Sequence, residues 1–181
     1  LKFKFKNKFG EYHDDRTAPN FSVTYGDVIN DSASHIIGIT YSSKNIETFN
    51  NETGYGWEDG LMNDDFEMRY YDIARERYGL SYDFDYITVN DSRLYFNAFY
   101  NEYDDAEVRL KDEYGKIKLD EVLENGITSS RVRHDAETRQ RFETRKISAL
   151  VLGFDTMVNE WTVDTQASYS YALEDDSDNA D

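Results

Sequence analysis

The chain has 181 residues, with 37 acidic against 20 basic side chains, one proline and no cysteine. A formal charge of −17 disfavours nucleic acid as a direct partner, since phosphate binding needs clustered Lys and Arg. The missing cysteine excludes a disulfide scaffold, a thiolate nucleophile and a Cys-based zinc site, and an aromatic fraction of 15% argues against intrinsic disorder.

Period-two alternation, the mark of a strand with two unlike faces, recurs from the first residue. Leu1, Phe3 and Phe5 alternate with Lys2, Lys4 and Lys6. After a moderate loop at 10–18 come Phe21, Val23 and Tyr25 against Ser22, Thr24 and Gly26. A short polar turn, Asn30 to Ser34, leads to Ile37, Ile39 and Tyr41. A long polar stretch covers roughly 47–65. Phe66 to Leu80 places Phe66, Tyr70, Ile73 and Tyr78 near helical spacing, but runs straight into alternation at Gly79. We read it as an extension of the strand Leu80, Tyr82, Phe84, Tyr86. The turn Asn90-Asp91-Ser92 precedes Leu94, Phe96, Ala98 and Tyr100. A second long polar stretch, roughly 105–138, contains Leu110, Tyr114 and Ile117 and reads as either a helix or a hairpin. Residues 145–154 are apolar on both faces for a stretch. After a turn at Met157 to Glu160, the last strand sets Trp161, Val163, Ala167, Tyr169 and Tyr171 against Thr162, Asp164, Gln166, Ser168 and Ser170.

That makes seven candidate strands, joined alternately by short turns and long polar stretches. The longest apolar run, Ala149 to Leu152, is four residues, against roughly 20 for a spanning helix. A membrane β-barrel shows no such run, because its lipid-facing and lumen-facing residues alternate. A soluble sandwich explains alternation equally well, but has no reason to sort its loops by length. Tyr and Trp at strand ends, small and acidic residues on the polar faces, and near absence of proline favour the barrel. The leading Leu1 and the acidic run Glu174 to Asp181 suggest an internal piece of a longer protein, and no signal peptide is visible.

Two stretches carry a resemblance. The first is Arg69-Tyr70-Tyr71-Asp72-Ile73 through Arg75-Glu76-Arg77-Tyr78-Gly79-Leu80-Ser81, ending in Tyr100-Asn101-Glu102-Tyr103-Asp104-Asp105. The second is Glu143-Thr144-Arg145 through Ile147 to Phe154, then Asn159-Glu160-Trp161-Thr162-Val163-Asp164 and Ser168-Tyr169-Ser170-Tyr171-Ala172. Together, over roughly 66–105 and 138–176, they resemble the barrel of TonB-dependent outer-membrane receptors.

The resemblance implies an all-β fold: an antiparallel transmembrane β-barrel segment with short periplasmic turns and long extracellular loops. Residues 1–181 would form a partial barrel domain, about a third of a wall of about 22 strands, with plug and barrel termini outside it. Such receptors sit in the outer membrane of Gram-negative bacteria among lipid and lipopolysaccharide. They import siderophores, haem, cobalamin or glycans, driven through the plug by a periplasmic TonB-type energy-coupling protein. A passive porin-like barrel and a soluble β-sandwich carbohydrate-binding module are the alternatives.

Residues 53–60 read Thr-Gly-Tyr-Gly-Trp-Glu-Asp-Gly. Tyr55 and Trp57, between flexible glycines, suit stacking on a sugar ring or an aromatic siderophore, with Glu58 and Asp59 beside them; ordinary loop packing is the competing reading. Tyr103, Asp104 and Asp105 close the candidate ligand-binding set. No catalytic constellation emerges, so no enzyme and no cofactor is expected. His13, His35 and His134 lack partners at metal-ligand spacing. Asp175-Asp176-Ser177-Asp178 lacks the glycine and distal Glu of a calcium loop and reads as a solvated run.

Overall fold

A computed structural model describes residues 1–10, 13–54, 57–58, 61–62 and 65–180, with side chains except at 8–10, 13–16, 57–58, 61–62, 119, 122, 127 and 180. The described residues contain no helix. The strands are β1 (Lys2–Gly10), β2 (His13–Asn30), β3 (Ala33–Thr53), β4 (Trp57–Glu58), β5 (Leu61–Met62), β6 (Phe66–Ile87), β7 (Arg93–Leu123), β8 (Gly126–Val158) and β9 (Trp161–Ala180). Seven of them form one antiparallel sheet, β1-β2-β3-β6-β7-β8-β9, while β4 and β5 pair separately. The sheet order follows the chain order, interrupted only by β4 and β5 between β3 and β6, and β1 and β9 are the sheet's edges.

The seven strands are those expected from alternation. Phe66 to Leu80 is strand, as its continuity with the following alternation implied. The stretch 105–138 is a hairpin, formed by the end of β7 and the start of β8 around the turn Glu124-Asn125. The expected long loop is, over these residues, paired backbone.

The chain divides into two compact units. The first comprises 1–45, 75–105 and 143–176; the second comprises 46–74, 106–142 and 177–181.

In the first unit the register fixes which residues share a face. Phe3 pairs with Val23 and Phe5 with Phe21; Phe21 pairs with Tyr41, Val23 with Ile39 and Tyr25 with Ile37. Directly opposed residues point to the same side, so one face carries Phe, Val, Ile and Tyr. The intervening pairs Lys4 with Ser22, Lys6 with Asn20, Asn20 with Ser42 and Ser22 with Thr40 form the other. Side-chain contacts extend both faces. Tyr41 meets Tyr78 at 5.1 Å, and His35 meets Tyr82 at 6.0 Å, which meets Phe96 at 6.2 Å. On the polar side, Asn97 reaches Asp83 at 2.5 Å, Arg93 reaches Asp85 at 2.5 Å and Asp155 at 3.6 Å, and Arg145 reaches Glu174 at 3.5 Å.

Among the described residues the apolar face has no second layer. The only buried apolar side chains are Ala18, Ala33 and Ile73, and no large side chain is fully buried. Phe3 is 65% exposed, Leu150 47%, Trp161 76% and Tyr169 65%. A sandwich of this size would bury such a face against a second sheet.

The second unit is held by ion pairs. Arg109 and Lys111 of β7 both reach Glu137 of β8, Lys111 at 3.1 Å, and Arg139 of β8 grips Asp178 of β9. Tyr114 stacks on His134 at 4.6 Å, and His134 reaches Asp112 at 2.8 Å. Cross-strand pairs of this kind hold hydrophilic strands together. Hydrogen bonds from Arg109, then from Lys111, keep the Glu137 carboxyl below its ordinary value of 4.5. A carboxylate with a lowered folded pKa stabilises above its unfolded pKa and loses that contribution as pH falls through the folded value. Hydrogen-exchange protection factors across 106–142 should therefore fall as the pH is lowered below the ordinary glutamate range and through the depressed Glu137 value. Arg109→Ala should shrink that pH effect and cost no more than about 1 kcal/mol, as partly exposed pairs do. Protection independent of pH in both proteins would remove the ion pairs as the cause.

Candidate functional site

Arg75 and Arg77 lie two residues apart on β6, so both share the polar side with Ser81 and Asp83. Tyr103 and Asp105 do the same on β7, in phase with Asn97 and Asn101. Arg75 Nε donates to Asp105 Oδ2 at 2.5 Å, and the Tyr103 hydroxyl donates to the same oxygen at 2.5 Å. The Arg77 guanidinium lies over the Tyr103 ring at 5.1 Å. Asp105 is buried and aligns Arg75 and Tyr103, while Tyr103 is the platform under Arg77. Gly79 supplies close approach beside them: a Cβ there would come within 2.4 Å of Thr40 Oγ1 and 3.1 Å of Asn101 Oδ1.

A shallow cavity of about 380 Å³ opens here, lined by Arg77, Asn101, Tyr103, Arg145 and Ile147 among others. A second, of about 240 Å³, is lined by Asn20, Ser42, Ser43, Lys44, Arg75 and Arg77. A third, of about 320 Å³, is lined by Lys4, Lys6, Asn20, Phe21 and Ser22. Each is open and has charged or hydrogen-bonding side chains in its lining, to which Ile147 in the first and Phe21 in the third add apolar surface.

The apolar side of the same strands ends in a row of hydroxyls and carboxylates. Tyr41 donates to Glu76 Oε1 at 2.6 Å, and Tyr78 donates to Glu76 Oε2 at 2.8 Å. Tyr100 donates to Glu102, which meets Lys146 at 3.1 Å, and Thr144 donates to Asp104 at 2.7 Å. Between this row and Tyr86, the apolar side of β6 presents only Leu80, Tyr82 and Phe84.

Of the residues singled out from sequence, Tyr103 and Asp105 lie together in the polar cluster. Asp104 is on the opposite side, bonded to Thr144. Trp57 and Glu58 form β4, with backbone partners Met62 and Leu61, and belong to the second unit. Tyr55 and Asp59, and the side chains of Trp57 and Glu58, lie outside the described residues. Sequence reasoning missed Lys44, Arg75 and Arg77. The signal was present: reading Phe66 to Leu80 as strand puts Arg75 and Arg77 in phase with Ser81.

His35 sits edge-on between Tyr25 and Tyr82, at 5.8 and 6.0 Å. Among the described residues no three His, Asp or Glu side chains converge on a possible metal position. Asp178, from the acidic tail, is bonded to Arg139. No family model matches the chain, and no curated protein matches it.

Proposed function

We propose that this chain forms part of the wall and outer strands of an outer-membrane β-barrel that imports a scarce nutrient. The observation that carries the proposal is the sheet's two unlike faces. One is apolar, uncovered among the described residues, and bounded by tyrosines with hydrogen-bonded hydroxyls. The other is chiefly polar and crossed by ion pairs, with Phe99 of β7 and Ile147, Ala149 and Val151 of β8 as its apolar exceptions. Tyrosine and tryptophan favour a membrane–water boundary, because their rings are apolar and their tips are polar. Tyr78 to Tyr86 spans nine residues and Trp161 to Tyr171 eleven, against the roughly 9–11 of a tilted spanning strand. A soluble sandwich would need a second apolar layer over this face. No helix of the described residues is long and apolar enough to cross a membrane, a fact that does not bear on strands.

Support for an energy-coupled receptor over a passive pore is the resemblance of 66–105 and 138–176 to TonB-dependent receptors. On this reading a plug domain and a periplasmic coupling protein supply the drive, and lipid and lipopolysaccharide surround the apolar face. Fractionation of the native cell should place the protein in the outer membrane. Solute uptake through it should collapse when a protonophore dissipates the inner-membrane gradient. Uptake indifferent to the protonophore would indicate a passive barrel, and recovery in a soluble fraction would contradict the proposal outright.

A further inference from the structure

In the first unit the described cations fall into two groups. Arg75, Arg93, Arg145 and Lys146 each face a carboxylate: Asp105, Asp85, Glu143 and Glu102 respectively. Among the described residues, Lys2, Lys4, Lys6, Lys44 and Arg77 have no such partner. All five lie on the polar side. Lys4 and Lys6 are paired in register with Ser22 and Asn20, Lys44 follows Ser42 in phase, and Arg77 precedes Gly79 in phase. In a chain with 37 acids against 20 bases, unpaired cations gathered on one face are the opposite of what composition favours.

Four of them, Lys4, Lys6, Lys44 and Arg77, also border one trough. The cavity at Lys4 and Lys6 shares Asn20 with the cavity at Lys44, and that cavity shares Arg77 with the one at Tyr103. Volumes of about 240 to 380 Å³ match the low end of small-molecule sites, about 300 Å³. A folded partner would need about 800 Å² of contact surface. Arg77, laid flat on Tyr103, presents a planar fork suited to a carboxylate or phosphate, and the lysines add point charges beside it. A local positive field of this kind is compatible with a negative total.

Building on the polar face as the wetted wall of the proposed barrel, we infer that this trough binds a small solute bearing two or more carboxylate or phosphate groups. Arg77 is its central contact, with Lys44 beside it on the neighbouring β3 and Lys6 farther along the trough on β1. The test uses the full-length protein in detergent, titrated calorimetrically with citrate and with inorganic triphosphate at low and moderate salt. Both probes share the required chemistry; tighter binding of one identifies the anionic group. Arg77→Gln should weaken the tighter probe about tenfold, the scale of one charge-assisted contact, and Lys44→Gln should weaken it severalfold. Arg77→Lys should recover part of the loss, which a merely misfolded variant would not do. Lys118→Gln, in the second unit, should change nothing. Equal affinity in the wild type and Arg77→Gln, or equal loss in Lys118→Gln, would overturn the inference. So would binding of a polyglutamate peptide but neither probe, since that marks a protein-docking surface. An outer-membrane protein with no Arg77-dependent anion binding removes this inference alone, whereas a water-soluble protein removes the barrel reading beneath it.

Discussion

Replacing Ala167 with arginine is expected to destabilise the membrane-embedded protein by about 2–4 kcal/mol, while Gln166→Arg, one position away, stays within about 0.5 kcal/mol. The two residues are neighbours on β9 with opposite orientation. Ala167 shares its face with Trp161, Val163, Tyr169 and Tyr171; Gln166 shares the other with Asp164 and Ser168. Ala167 is small, so the substitution leaves no cavity, and its cost comes from placing a guanidinium against hydrocarbon. Both positions are exposed. In a protein surrounded by water on both faces the two arginines would be equally harmless. Denaturant titration of the reconstituted protein measures the difference, and equal small effects would argue against lipid on the apolar face.

The second large effect is expected at Gly153. A Cβ there would lie 2.0 Å from Tyr95 Cζ and 2.3 Å from its hydroxyl oxygen, so the ring must leave its position. That ring is not free to move at no cost: Arg93 lies over it at 4.8 Å, and Arg93 is held by Asp85 at 2.5 Å. Gly153→Val should therefore cost about 1–3 kcal/mol, the range for overpacking. Tyr95→Ala should relieve much of that loss in the double variant, because the two side chains contend for one space. Gly126 is the control: nothing lies within 4 Å of a Cβ built there, and Gly126→Ala should be nearly neutral. Strictly additive losses at 95 and 153 would show that the ring does not occupy this space.

Strand positions were legible in the sequence because a two-faced sheet writes its faces at period two. Leu80, Tyr82, Phe84 and Tyr86 needed no structural information. The short turn at 159–160 was equally legible from its polar pair, and Asn159 takes the left-handed backbone (φ 58°) that asparagine tolerates. The hairpin of β7 and β8 was one of two readings that the sequence left open. Leu110, Tyr114 and Ile117 sit near helical spacing. What makes these residues strand is pairing across the hairpin, with Arg109 and Lys111 meeting Glu137, and such pairing is invisible to a single-strand pattern. The run at 145–154 was legible as strand with apolar residues on both faces, Ile147, Ala149 and Val151 on one and Leu150, Leu152 and Phe154 on the other. Leu150, Leu152 and Phe154 share the apolar side with Lys146, while Gly153 lies beneath Tyr95 on the polar side.

The candidate site was half legible. Tyr103 and Asp105 stood out as residues, but Asp105 is a buried acceptor that positions Arg75 and Tyr103. The cations that remain without carboxylates were overlooked because the overall charge is so negative. Net charge is a sum, and the sum hid a local excess on one face.

Lipid accessibility of the two faces tests the central claim most directly. Nitroxide labels placed singly from position 80 to 86 of β6 in the reconstituted protein report collisions with oxygen, which partitions into lipid, and with a water-soluble nickel chelate. The account predicts that labels at Leu80, Tyr82, Phe84 and Tyr86 collide chiefly with oxygen. It predicts that labels at Ser81, Asp83 and Asp85 collide chiefly with nickel, so the two signals alternate out of phase. Nickel collisions that are equally frequent on both faces would contradict it.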